Sequence, residues 1–175
     1  MLKTRKDVCN LIEMDVEQFK THARRDQFPT FYIAYADEKN LDAVGERGWN
    51  RFSDLEIVQI AVFERLMCEM GYAKGLPPDS AKLISINAGG AIQRIFEKQF
   101  SVDQWVGYVA GRDGGANVDG SLIEICARVE KLYAKSPNSR PKPGRIFLVN
   151  VSEIIRRLRA RAARLKISFG EDGEG

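Results

Sequence analysis

The sequence predicts an α+β protein, with short helices and a β-hairpin in its first half and a small α+β unit ending in a helix in its second. Apolar residues recur at helical spacing close to the N-terminus, and an aromatic segment at residues 49–52 leads directly into a Ser-Asp helix start. Beyond residue 99, strand-like and helix-like segments alternate. The chain has 175 residues, 44% of them hydrophobic and 29% charged, which is enough for one ordinary domain or two small ones.

The composition points to a cytoplasmic protein without a cofactor. No apolar run approaches the ~20 residues of a membrane span, and the first residues lack the apolar segment of a secretory signal. Cys9, Cys68 and Cys126 are far apart in apolar surroundings, so we expect buried free thiols. Because His22 is the single histidine, neither a metal site nor a Ser-His-Asp triad is expected. The protein is therefore not expected to be an enzyme.

Two short helices open the chain. Thr4 is a suitable cap for the first, expected at residues 4–12, and Asp15 for the second, expected from Val16 to about Arg25. Gln18, three residues after Asp15, completes the pattern of a capping box. The inner face of the second helix is expected to consist of Val16, Phe19 and Ala23.

A β-hairpin and a third helix are expected next. The aromatic, β-prone segments 31–35 and 49–52 are its two strands, joined by a long loop. Ser53 caps the third helix, with Glu56 as its capping-box partner, and the helix is expected to end at about Gly71.

The second half is expected to mix strands and helices. A fourth helix, starting at Asp79 or Ser80, runs to about Glu97, and Gly89-Gly90 allows a break in it. Residues 122–132 fit either a strand or a helix, and their partial alternation favours a strand at 122–129. The other expected elements are a strand at 104–109, a mobile turn at 112–117, a strand at 145–150 and a final helix capped by Ser152. The buried face of that final helix is expected to be Ile154, Ile155, Leu158, Ala162 and Leu165.

Two helices, a hairpin and a third helix in this order make a winged helix-turn-helix, a module that binds DNA. Residues 8–25, the motif Trp49-Asn50-Arg51-Phe52-Ser53-Asp54 and the helix at 57–72 together resemble the DNA-binding domain of MerR-like transcriptional regulators. Residues 76–86 are similar to the fourth helix of that family. The resemblance covers about the first half of the chain, and the second half lacks the family's long dimerisation helix.

The resemblance implies a sequence-specific regulator that binds double-stranded DNA, of a kind that phage-type repressors and excisionases also use. It implies a winged helix-turn-helix domain at 1–98 and a small dimerisation or regulatory unit at 99–169, before a disordered acidic tail at 170–175. A homodimer is expected because operators recognised by such modules are commonly symmetric. A protein or small-molecule effector is expected at the second half.

The candidate DNA contacts are basic and polar side chains on the second helix, at the first helix start and in the wing. Arg and Lys on an outward helix face pair with guanine or phosphate in the major groove, and Gln pairs with adenine. Helix N-termini and wing residues contact the DNA backbone. The predicted contacts are Thr4, Arg5, Lys6, Gln18, Lys20, Thr21, Arg24, Arg25, Lys39, Arg47 and Arg51.

Other interpretations stay open at this point. The formal charge of +3 permits DNA binding without requiring it, and Arg24 and Arg25 also fit an ordinary solvated helix end. Acidic residues in the same region oppose DNA binding unless the fold directs them away from it; they are Glu13, Asp15, Glu17, Asp37, Glu38, Asp42 and Glu46. An alternative is a protein-interaction or assembly module whose basic C-terminal helix docks an acidic partner. A third is an RNA-binding factor that uses the arginines at 156–164.

Overall fold

The computed structural model describes residues 2–29, 51–67, 75–111, 114–134 and 145–170. These ranges contain seven helices and a three-stranded antiparallel sheet in the C-terminal half, which confirms the α+β class. The elements are α1 (Arg5–Ile12), α2 (Val16–Arg24), α3 (Asp54–Met67), α4 (Pro78–Asn87), α5 (Gly89–Phe96), β1 (Gln104–Gly111), β2 (Gly114–Ser121), α6 (Leu122–Ala134), β3 (Arg145–Asn150) and α7 (Val151–Leu165). The predicted strand at 31–35, the first half of the strand at 49–52, the end of the third helix and the tail beyond residue 170 lie outside the described residues.

The helix starts in the N-terminal half follow the predicted caps. Thr4 and Asp7 form a capping box at α1, and Ser53 forms one with Glu56 at α3. At α2, the Asp15 side chain accepts hydrogen bonds from the backbone amides of the second and third helical residues, at 2.8 and 3.2 Å. The reciprocal bond predicted for the Gln18 side chain is not found among the described hydrogen bonds, so Asp15 alone caps this helix.

The predicted fourth helix is broken into α4 and α5. The break falls at Ala88, one residue before the glycine pair named from the sequence. Gln59 of α3, only 4% exposed, donates a hydrogen bond from Nε2 to the Ile86 carbonyl (3.3 Å) at the end of α4. That amide group also lies 3.2 Å from where a Cβ on Gly89 would stand, so a glycine here gives Gln59 room to reach the helix end.

The sheet has the order β2-β1-β3 with both pairings antiparallel. Alternate residues of β1 face opposite sides: Val106 joins the main core, while Val109 packs with Val118 of β2 in a smaller cluster. The mobile turn predicted at 112–117 is wrong from residue 114 onward, because these glycine-rich residues pair with β1 from Gly111↔Gly114 through Gln104↔Ser121. Backbone pairing, which a sequence pattern does not register, overrides their weak strand propensity.

The strand predicted at 122–129 is wrong, since these residues begin α6. Ser121 and Glu124 form a capping box: Ser121 N–H and Oγ–H donate to Glu124 Oε2 (both 2.8 Å), and Glu124 N–H donates to Ser121 Oγ (3.3 Å). Ile125 is 1% exposed and Val129 packs beside it, four residues along one helix face. The cap and this four-residue spacing, rather than the partial alternation, decide the structure.

The last helix keeps its predicted inner face with two corrections. Ile154, Ile155, Leu158 and Ala162 are buried, whereas Leu165, beyond the core, is 43% exposed. The cap is Asn150, whose side chain accepts from the Glu153 amide (2.9 Å). Ser152 instead accepts a hydrogen bond through Oγ from the Gln104 amide (2.9 Å), and thus joins α7 to β1.

Two other burial predictions need correction. Val16, placed on the inner face of α2, is 39% exposed because it stands in the first turn, ahead of the residues that meet α3. Cys126 is exposed on α6, while Cys9 is buried as predicted, and burial raises the pKa of its thiol. Cys68 lies outside the described residues.

One continuous hydrophobic core joins the two halves of the chain. Helices α1 to α5 contribute to it together with β1 and α7, so residues on both sides of position 98 share it. The boundary between residues 1–98 and 99–169 therefore stays a prediction. None of the helices in the described ranges combines the length and apolarity needed to cross a bilayer.

Candidate nucleic-acid interface

The outer face of α2 carries five of the predicted DNA contacts. Gln18, Thr21, Arg24 and Arg25 are exposed, and Lys20 is partly exposed. At 3.6 residues per turn these five positions fall within an arc of about 160°. The helix therefore presents them on a single surface, opposite the buried Phe19.

The polar groups of this face are unequally occupied. Lys20 Nζ lies 2.6 Å from Glu17 Oε1, and Thr21 Oγ1 donates to the Glu17 carbonyl (2.8 Å). In contrast, the side chains of Arg24 and Arg25 make no hydrogen bond or ion pair with any residue that the structure describes. Two exposed guanidinium groups at the end of α2 are thus available to an external partner, and Lys20 offsets the charge of Glu17.

An aromatic cluster fixes α2 on the rest of the protein. Phe19 packs against Phe28 and Phe52 with ring centroids 4.6 and 5.6 Å apart. Phe63 of α3 closes the cluster, 5.8 Å from Phe28 and 5.7 Å from the ring of His22. Since aromatic side chains bury large areas and have few rotamers, this packing holds α2 in one orientation.

A partly buried His-Glu pair also joins α2 to α3. His22 Nδ1 lies 2.8 Å from Gln27 Oε1, which makes Nδ1 the donor, and Nε2 lies 3.5 Å from Glu64 Oε1. Glu64 Oε1 has no hydrogen-bond partner among the described residues. Burial raises the pKa of Glu64, while the positive charge of a protonated His22 acts in the opposite direction. One proton between Nε2 and Oε1 would satisfy both groups.

Residues at the start of α1 lie beside the base of the predicted wing. Lys3 and Phe52 form an antiparallel bridge, each amide donating to the other's carbonyl at 2.8 Å. Phe52 also meets Phe19, so it connects the chain start, the wing base and α2. Arg51, next to Phe52, is exposed. Lys39 and Arg47 lie outside the described residues.

The three predicted contacts at the α1 start differ in what they offer. The carboxylate of Asp7 accepts from Thr4 N–H (2.9 Å) and from Thr4 Oγ1 (2.7 Å), so a carboxylate already stands where a phosphate was expected. Arg5 is half-buried, and its Nε has no hydrogen-bond partner in the described ranges. Lys6 is exposed and is the more accessible of the two cations.

Several acidic residues of this region have structural partners. Glu13 pairs with Arg161 of α7, and Asp15 caps α2. Asp26 accepts from Lys82 Nζ (2.9 Å) just beyond the α2 end. The remaining acidic residues of the loop at 37–46 lie outside the described residues. Among the described acidic residues, Glu17 is the one that lies on the outer face of α2.

Most arginines of α7 are engaged within the chain. Arg156 makes two hydrogen bonds to the Asp103 carboxylate (2.7 and 2.9 Å) and lowers the pKa of that group to about 2. Arg157 Nε donates to Glu153 (2.7 Å), and Arg161 Nη1 donates to the Leu11 carbonyl (2.8 Å). Arg159 lies over the Phe96 ring at 5.8 Å. Arg164 is exposed.

Sequence patterns missed the residues that support this surface. Lys3 is only 5% exposed and pairs with Asp54. Glu64 and Phe28 were not singled out either. A buried lysine has no local signal in a sequence, because its partner lies 51 positions away.

Comparisons with protein-family models, curated proteins and solved structures found no match to this chain. The described ranges contain no group of three or more His, Cys, Asp or Glu residues with the geometry of a metal site. The functional interpretation therefore depends on the α2 surface and its supports.

Proposed function

We propose that this protein is a transcriptional regulator that binds duplex DNA sequence-specifically through a MerR-like winged helix-turn-helix, with α2 in the major groove. The observation that carries the proposal is the pair Arg24 and Arg25, exposed on α2 and without a side-chain partner among the described residues. Guanidinium groups bind guanine O6 and N7 or backbone phosphates. Gln18 and Thr21, nearer the helix start, would contact base edges.

The supports of α2 favour a recognition role. A reading helix must hold its side chains in fixed register, and the Phe19 cluster with the His22–Glu64 contact provides that rigidity. The Lys3–Phe52 bridge holds Arg51, the neighbour of Phe52, beside the start of the chain, and Lys6, three residues after Lys3, is exposed. These cations would contact phosphates and fix the helix in the groove.

The arginines of α7 favour DNA binding by α2 over the alternative of a docking helix. Arg156, Arg157 and Arg161 are already paired with carboxylates of this chain. A partner would have to displace those contacts, whereas Arg24 and Arg25 have none to lose among the described residues. The proposal includes a homodimer on a symmetric site, which sedimentation of the free protein and of its DNA complex would test.

Selection of bound sequences from random duplex DNA, followed by fluorescence anisotropy on the selected duplex, tests the proposal. The variant Arg24→Ala/Arg25→Ala should bind at least about thirtyfold more weakly, since two contacts at about 1 kcal/mol each are the low end for arginine. If the arginines contact phosphates, the salt dependence should also fall by about 0.9 per contact.

A charge-matched control separates specific contacts from overall attraction. Arg145→Ala/Arg164→Ala removes the same charge from exposed positions on β3 and α7 and should bind within about threefold of wild type. Recovery of no preferred sequence with the wild-type protein would overturn sequence-specific binding. Equal losses in the two double variants would overturn the role of α2.

A further inference from the structure

A cleft of about 320 Å³ opens between α1, α3 and α7, on the side of α3 that bears Glu64. Its apolar lining comes from one side chain or more of each helix, including Ile12, Ala61 and Leu158. At about 30 Å³ for each water in the liquid, this space holds about ten waters, or a ligand of similar atom count. The cleft is thus of the size of small-molecule sites.

Arginines dominate the charged part of the lining. Arg65, Arg157 and Arg161 all line the cleft. Arg161 is held by the Leu11 carbonyl and Glu13, and Arg157 by Glu153. Arg65 is exposed, and its side chain has no ion pair or hydrogen bond with the residues that the structure describes. One guanidinium at the cleft is therefore available to an anion, with two fixed arginines beside it.

Glu64 supplies a second, different group. Its Oε1 atom is buried 3.5 Å from His22 Nε2, but the side chain as a whole is 27% exposed and lines the cleft. The carboxylate of Glu64 can therefore accept a hydrogen bond from a ligand in the cleft. The cleft thus combines an apolar floor, an accessible cation and a carboxylate acceptor.

We propose that this cleft binds a small carboxylic acid with an apolar body and a hydroxyl group. Arg65 holds the carboxylate, the body lies on Ile12, Ala61 and Leu158, and Glu64 accepts the hydroxyl hydrogen. The site adjoins the proposed DNA-binding surface, because Glu64 also faces His22 of α2 and Ile12 ends α1 just before the turn into α2. Control of DNA binding by the acid rests on the proposed function, whereas binding of the acid does not.

Saturation-transfer NMR and calorimetry on the full chain, without DNA, test the site. The acids used are 4-hydroxyphenylacetate, 4-hydroxybenzoate, 3-(4-hydroxyphenyl)propionate and phenylacetate, with tyramine as the amine that keeps the ring and hydroxyl. At least one hydroxy acid should bind, tyramine should not, and phenylacetate should bind about tenfold more weakly than 4-hydroxyphenylacetate, because it lacks the hydroxyl group.

Variants locate the binding in the cleft. Arg65→Ala, at an exposed position, should weaken binding at least tenfold, whereas Arg164→Ala, exposed on α7 and outside the cleft, should leave it unchanged. Ala61→Phe should abolish binding by filling the space, with circular dichroism to verify its fold. Failure of all the acids to bind, equal binding of tyramine, or equal affinity of Arg65→Ala and wild type would each overturn the proposal.

A measurement of DNA affinity on the same samples tests whether the acid controls DNA binding. With the acid at saturation, the affinity for the selected duplex should change by at least threefold in wild type and not in Arg65→Ala. Binding of the acid without a selected duplex would retain the cleft proposal and overturn the proposed function. An unchanged DNA affinity in the presence of bound acid would overturn the regulatory link alone.

Discussion

Phe19 is the side chain on which the placement of α2 depends most. It is the one fully buried residue of this helix, at 2% exposure, and it contacts rings from two other segments. Phe19→Ala should lower the free energy of unfolding by about 4 kcal/mol, since truncating a buried Phe costs about 3–5 kcal/mol. That range includes the loss of two aromatic contacts, each of about 0.5–1.5 kcal/mol.

Urea denaturation followed by far-UV circular dichroism measures this change, with an unchanged slope as evidence that the folded and unfolded states are otherwise the same. Val16→Ala on the same helix, at 39% exposure, is the matched control and should cost less than about 1 kcal/mol. Phe19→Leu should recover more than half of the loss. Hydrogen exchange should show that the amides of α2 lose more protection than those of α3. A Phe19→Ala variant as stable as Val16→Ala would refute this account of how α2 is held.

Two further stability predictions follow from the structure. Gly107→Ala should destabilise the protein by about 1–3 kcal/mol, because its Cβ would stand 1.8 Å from the Phe147 carbonyl oxygen. Gly90→Ala, whose Cβ would meet only Arg94 at 3.8 Å, should instead stabilise α5 by about 1 kcal/mol. Thermal unfolding of the two variants checks that the changes have opposite signs. Because burial raises the pKa of Glu64 above its ordinary 4.5, the folded state holds that proton more tightly, and the stability it contributes is lost as pH rises through the folded pKa. The charged groups around Glu64 are His22, at 3.5 Å, and Glu13 and the arginines that line the same cleft. Glu64→Gln should be more stable than wild type at pH 7 by about 1 kcal/mol, and this difference should vanish below about pH 4. A difference in stability that stays constant across this pH range would contradict the raised pKa of Glu64.

Local signals in the sequence located the starts of α1, α2 and α3, whereas non-local pairing decided the strand at residues 114–121. Thr4, Asp15 and Ser53 cap helices as predicted, because a cap and its targets lie within three residues of each other. The Ser121–Glu124 box carries the same local signal, which outweighs the partial alternation of residues 122–129. The strand at residues 114–121 had no such signal, since only its pairing with β1 makes it a strand.

The α2 surface was predictable to a similar degree. Helical periodicity gives the exposure of Arg24 and Arg25, since the inner face is marked by Phe19. Which of the charged residues are already paired was not predictable, because the partners are distant along the chain. Glu13 and Arg161 are separated by 148 positions, so no helical spacing relates them.

The Ser53-Asp54 motif, which carries much of the family resemblance, is a structural junction in this protein. Ser53 caps α3, while the Asp54 carboxylate pairs with buried Lys3 and accepts the Gly170 amide (2.7 Å) from beyond α7. Each of these contacts lies within the chain and gives the motif a structural role. A motif with these roles is evidence for a scaffold, and a scaffold can serve several functions. The case for DNA binding must therefore come from Arg24 and Arg25, and the double variant at these residues is the experiment that decides it.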